Sequence, residues 1–144
     1  MLEYDDSIFD TLITDRTLSD VQQLTDKGMY RASDLNRIEQ AISVVVEKLN
    51  DSGHNIQLET GPVWTMISVP TYEETNRILR NLSKIRNSMA LFRSTPEVPS
   101  DMDVMTYQRA NNIEQIILDV NRAVINKQKG YVYAGMIYSG DIFV

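Results

Sequence analysis

Asn36-Arg37-Ile38-Glu39-Gln40-Ala41-Ile42 recurs, nearly unchanged, as Asn111-Asn112-Ile113-Glu114-Gln115-Ile116-Ile117. Each copy opens a long amphipathic stretch just after a helix-start signal: Ser33 and Asp34 before the first, Thr106 before the second. Side-chain oxygens of Ser, Thr and Asp accept from the free N–H groups of a first helical turn. In the first copy Leu35, Ile38, Ile42, Val45, Val46 and Leu49 fall on one face at 100° per residue. The run Val44-Val45-Val46 is strand-like by itself, but the helical period on both sides outweighs it. Asn76-Arg77-Ile78 is a faint third copy. The repeat therefore describes a recurring way into a helical bundle, and the fold class is all-α.

Working outward, the spacing predicts four helices. A short one covers about residues 18–27, with Thr17 and Asp20 as a capping pair and Gly28 as its stop. The second covers about 34–51 and ends at Ser52-Gly53. The third starts at Pro70-Thr71, with Glu74 completing a capping box, and runs to Phe92 on a stripe of Ile78, Leu82, Ile85, Met89 and Phe92. The fourth covers about 107–128, with Gly130 as its stop. Its main stripe is Ile113, Ile116, Ile117, Val120 and Val124, and a second stripe is Tyr107, Leu118 and Ile125. A helix apolar on two sides is central in a bundle or covered by another chain.

Between the second and third helices, residues 54–70 read as a partly extended connector that the single tryptophan, Trp64, pins to the bundle. Residues 93–104 hold Pro96 and Pro99 and read as a linker or surface loop. After Gly130, Tyr133-Ala134-Gly135-Met136-Ile137 is echoed by Tyr138-Ser139-Gly140-Asp141-Ile142. Aromatic and β-branched residues around glycines predict an extended C-terminal arm that pairs with a strand in its own chain or a neighbour. The expected organisation is an acidic lead (1–16), a helical bundle domain (17–130) with three long helices, and the arm (131–144).

The 144 residues suffice for one domain with a real core. Cysteine is absent, which removes disulfides, thiolate metal sites and cysteine nucleophiles. No apolar run approaches the roughly 20 residues of a membrane span. The first residues are acidic where a secretory signal would be basic, so a soluble, cytosolically made chain is expected. Residues 1–30 carry seven carboxylates against Arg16 and Lys27, so they hold −5 of the net charge of −6. That lead reads as a solvated arm, with docking on a basic neighbour as the alternative. Asn50-Asp51-Ser52 and Asn81-Leu82-Ser83 match the glycosylation pattern by chance.

The search for chemistry returns little. His54, the only histidine, has no partner histidine for a metal. Glu39 and Glu114 are equivalent in the repeat, but a ferritin-like site needs Glu-x-x-His, which is missing; both read as polar flanks of buried stripes. No phosphate-binding glycine loop occurs. Catalytic, cofactor-binding and metal-binding residues are therefore expected to be none. Arg77, Arg80 and Lys84 form a basic stripe opposite the apolar face of the third helix. It reads as a solvated or subunit-facing surface, and it is also the only nucleic-acid candidate, in an acidic chain without interleaved aromatics.

The order of the short motifs carries a resemblance. Thr14-Asp15-Arg16-Thr17 with Asp20-Val21, then Tyr30 leading to Asp34-Leu35-Asn36-Arg37-Ile38-Glu39, then Trp64 and Pro70-Thr71, then Asn81 through Ile85-Arg86, then a proline-containing loop, Ala110-Asn111-Asn112-Ile113-Glu114 and Tyr138-Ser139-Gly140-Asp141 follow one another. Together they resemble small virion structural proteins of tailed phages and prophages of Gram-positive bacteria, over about residues 13–141. The resemblance implies a non-enzymatic tail or baseplate component that is present in several copies and contacts other virion proteins. It adds no catalytic residue. The expected interface residues are Tyr133, Ile137, Tyr138 and Ile142 in the arm, and Tyr107, Leu118 and Ile125 on the second helix face. The alternative function is a small cytosolic regulator that binds nucleic acid through Arg77, Arg80 and Lys84. An enzyme is the third class and would need a site supplied by a partner chain.

Overall fold

The computed structural model describes residues 4–139, with side chains through residue 130. All regular structure among them is helical: a 3-10 turn (Asp6–Thr11), α1 (Leu18–Gln22), α2 (Ala32–Asp51), α3 (Tyr72–Arg86) and α4 (Tyr107–Ser139). The three long helices run in the same direction. Arg37 meets Glu114, Lys48 meets Asn121 and Ser52 meets Gln128, so α2 and α4 ascend together. Near the start of α3, Arg77 meets Glu39; near its end, Lys84 takes the carbonyl of Gln57, just past the end of α2.

Parallel neighbours require the chain to return each time along the full helix length. The 20 residues of α2 rise about 30 Å, a span that roughly nine or ten extended residues can cover. Residues 54–70 and 87–106 make the two returns. The acidic lead makes a third, from Tyr4 beside Asp51, through Asp6 beside Lys48, to Ile13 and Arg16 beside Glu114. It is not a solvated arm, because Phe9 and Arg16 are buried.

Extended segments without a sheet still need partners for their N–H and C=O groups. Here asparagine side chains supply them. The amide of Asn36 accepts from the Trp64 N–H and donates to the Trp64 C=O, both at 2.8 Å. Asn111 does the same for Arg16 at 3.0 Å. Asn81 holds Glu59 at 3.0 and 2.9 Å, and Asn50 holds Ile56 at 2.8 and 3.0 Å. Each amide acts as a one-residue strand on a helix. Asn50 and Asn81, which looked like chance glycosylation matches, belong to this set. Replacing Asn36 with alanine is expected to cost about 1–3 kcal/mol, since two main-chain groups lose their partners. Urea unfolding measures it; a change below about 0.5 kcal/mol would show that solvent replaces the clamp without loss.

The core follows the helical period. Ile38, Ile42, Val45 and Leu49 meet Ile78, Leu82 and Ile85, and Ile113, Ile116, Ile117, Val120 and Val124 complete the interior. Each return segment adds one large side chain to it: Phe9, Trp64 and Met102.

Several boundaries differ from expectation. α1 ends at Gln22, not near Lys27, because the Thr25 N–H and hydroxyl turn back onto Asp20 and Leu24 takes a left-handed φ of 53°. α2 starts earlier, at Ala32, because the Asp34 carboxylate accepts from the Arg31 N–H at 2.6 Å. Its stop is as expected, with Gly53 at φ 102°, a conformation glycine adopts at low cost. α3 ends at Arg86, where the guanidinium binds the carbonyls of Pro96 and Thr95 and fixes the returning chain, so Phe92 is exposed outside the helix. α4 does not stop at Gly130 but continues to Ser139. One glycine costs a helix about 1 kcal/mol, which does not terminate one already formed, and no proline follows. The expected extended arm is thus helical over 131–139, and residues 140–144 lie outside the described residues.

Candidate functional site

The two copies of the repeat do equivalent work. In each, the asparagine clamps a return segment and the glutamate three residues on binds what that segment carries. Glu39 accepts the Trp64 indole N–H at 2.6 Å and pairs with Arg77. Glu114, wholly buried, accepts from the Ile13 N–H and pairs with Arg16 at 2.6 Å and Arg37 at 2.7 Å. Asp34 closes the set, 2.7 Å from Arg37 and 3.7 Å from Arg16. Two guanidinium and two carboxylate groups form a neutral quartet that joins the lead, α2 and α4. Burial works against the charged form of Arg37, but Glu114 and Asp34 outweigh it and hold its pKa up. The Tyr30 ring lies beside Arg16, and its hydroxyl pKa is raised by burial and then by Glu114 and Asp34. Neither glutamate is a mere polar flank, as the periodicity had suggested.

The basic stripe is not a free face. The buried Arg77 binds Glu39 and the Glu59 carbonyl, and its guanidinium lies against Gly61, where a Cβ would come within 2.3 Å of it. Arg80 grips Glu59 at 2.8 and 2.9 Å and Glu73 at 2.8 Å, and hydrogen bonds from Arg80 chiefly lower the Glu59 pKa. Lys84 donates to the Gln57 carbonyl at 2.7 Å. All three secure the return segment 54–61.

That securing has a visible product. Trp64 is only 3% exposed, held at its backbone by Asn36 and at its indole by Glu39. The residues around it face outward: Met66 is 99% exposed, Ile67 91%, Val69 81% and Val63 79%. A turn fixes the tip, with Ser68 donating to the Thr65 carbonyl and the Ser68 hydroxyl accepting from the Thr65 N–H at 2.9 Å. From Thr60 to Tyr72 no residue is charged. Beside this apolar knob lies a cleft of about 460 Å³ lined by Tyr30, Leu35, Trp64, Met102 and Met105, with Met66 on its rim. Contiguous exposed apolar surface of this kind marks an interaction site.

Sequence reasoning anchored the connector correctly through Trp64 but missed that Val63, Met66, Ile67 and Val69 stand outside. The available signal was four aliphatic side chains, Val63, Met66, Ile67 and Val69, between Gly61-Pro62 and Pro70, with one aromatic anchor. Of the expected interface residues, Tyr107, Leu118 and Ile125 are half-buried, and Leu118 packs against the core. Tyr133, Ile137 and Tyr138 sit on the last turns of α4 with side chains outside the described residues, as is Ile142 altogether.

Among the described residues, no group of three His, Asp or Glu side chains is placed to hold a metal ion, and no helix is long and apolar enough to cross a membrane. Comparison with family models, curated proteins and solved structures gave no match.

Proposed function

We propose that this chain is a structural protein of a phage particle, in its tail or baseplate, and that it works in assembly by protein–protein contact. The observation that carries the contact role is the anchored, uncharged knob at residues 63–69. Its apolar side chains are exposed while Trp64 is clamped by Asn36 and Glu39 and the Thr65–Ser68 turn closes on itself, which lowers the entropy lost when a partner covers it. The resemblance to virion proteins supplies the particle. Its motif residues Arg16, Asp34, Arg37, Trp64, Asn111 and Glu114 are among those that lock two of the three returns, the lead and residues 54–70, to the bundle.

The test uses purified particles from the prophage or phage that encodes the chain. The protein is expected as a fixed-stoichiometry component by mass spectrometry. The double variant Met66→Asp, Ile67→Asp should fold normally, by circular dichroism, yet be missing from particles. Absence of the wild-type protein from infectious particles would overturn the reading.

A further inference from the structure

Gly61 stands at the foot of the knob, three residues before the Trp64 anchor. A Cβ built on it would sit 2.3 Å from Nη2, 2.4 Å from Cζ and 2.7 Å from Nε of Arg77. Approach to all three atoms at once places Gly61 over the face of the guanidinium. On its other side Nη1 donates to Glu39 Oε1 and to the Glu59 carbonyl. Glu39 carries the grip onward, since its second oxygen accepts the Trp64 indole N–H at 2.6 Å. One side chain thus meets the loop at Glu59, at Gly61 and, through Glu39, at Trp64. We infer that Arg77 is the positioning residue of the knob, a flat shim that sets how far residues 61–64 stand from α3. The inference rests on the contact reading of the knob and names the residue that sets its stance.

Two observations separate a shim from an ordinary ion pair. First, Nε and Nη2 of the buried Arg77 make no hydrogen bond among the described residues. Buried donors without a partner are costly, and a lysine would serve Glu39 as a point charge without them. The ion pair alone therefore does not account for a guanidinium here; the flat face under Gly61 does. Second, Gly61 is not required by its backbone. Among the described glycines the positive φ belongs to Gly53. Alanine can adopt the Gly61 backbone, and by chain entropy alone it would stabilise the fold. What excludes a side chain is the guanidinium.

Trp64 is the only tryptophan, so its fluorescence reads the anchor directly. In Gly61→Ala its emission should move to longer wavelength and its quenching by acrylamide should rise severalfold, because the methyl displaces either the loop or the Arg77–Glu39 contact. Arg77→Lys removes the flat face and should raise quenching by itself. Adding Gly61→Ala in that background should raise it no further, because the slender lysine chain leaves room for the methyl. Such non-additivity is what a double-mutant cycle detects between groups in contact. Gly130→Ala, where an added Cβ meets nothing within 4 Å, should leave the emission unchanged. Circular dichroism checks that each variant folds. If Gly61→Ala alone fails to fold, a folded double variant shows the same coupling.

Equal increments from Gly61→Ala with and without Arg77→Lys, or Gly61→Ala protein quenched like the unmodified chain, would overturn the inference. Loss of fold in both Gly61→Ala and the double variant overturns it too. If that happens while Met66→Asp, Ile67→Asp is still lost from particles, other contacts position the knob and the contact reading stands. If the coupling is found but Met66→Asp, Ile67→Asp enters particles like the unmodified chain, the positioning stands and the contact reading falls.

Discussion

Replacing Glu114 with alanine is expected to lower the unfolding free energy by about 3–5 kcal/mol. The carboxylate has no contact with solvent and is the shared partner of Arg16 and Arg37. Its loss leaves two guanidinium groups at the site with only Asp34 between them, and Arg16 is itself buried. Breaking such a set from one side is costly because the remaining charge stays in a low-dielectric surrounding. The Ile13 N–H also loses its acceptor. For a domain of this size the loss corresponds to a fall in Tm on the order of 10 °C. Glu114→Gln keeps the shape and one acceptor, so it should cost less than alanine. Urea unfolding of the two variants is the measurement. A cost below about 1 kcal/mol for Glu114→Ala would mean that Arg16 and Arg37 reach water with little rearrangement.

Trp64→Ala is the second large effect, also about 3–5 kcal/mol, from the cavity left by the ring. Its consequence is more than stability. The ring is the anchor that holds the knob outward, so the variant should be depleted from particles even where its helices persist. Circular dichroism should show helices retained in mild conditions, while limited proteolysis cuts within residues 54–70 far faster. Trp64→Phe separates the contributions: it keeps most of the ring and loses the indole N–H to Glu39, about 1 kcal/mol. If Trp64→Ala enters particles as well as the unmodified chain, the knob does not depend on its anchor.

How much of this was legible depended on whether the determinant was local. The stripes of α2 and α4 were readable because burial repeats every 3.6 residues, so Val45 and Val120 declare themselves through their neighbours. The Thr17 and Thr71 caps were readable for the same reason, each bonding the N–H three residues on. Glu114 was not, because its partner Arg16 lies near the other end of the chain, and no periodicity carries that pairing. The direction of the helices was hidden too: short loops would make neighbours antiparallel, and only the length of the connectors hinted at returns. Gly130 misled because punctuation was weighed without the cooperativity of a helix already several turns long. Met66 and Ile67 were hidden by a composition rule that sends apolar residues inward, whereas exposed ones are informative when they adjoin each other.

The lead is held by a helix about a hundred residues further along the chain, α4. The Ile13 N–H finds its acceptor, and Arg16 its nearest carboxylate, Glu114, only after about a hundred further residues have been synthesised. At about 5–20 residues per second, the lead waits on the order of 5–20 s with Arg16 matched only by Asp34 and the Lys27 and Ile13 carbonyls. Chains made only as far as α2 therefore carry the lead and α2 without their fourth-helix neighbour. Truncated chains ending before α4 should be substrates for chaperones and proteases, and the domain should close late and in one step, as a ring closes when its clasp arrives.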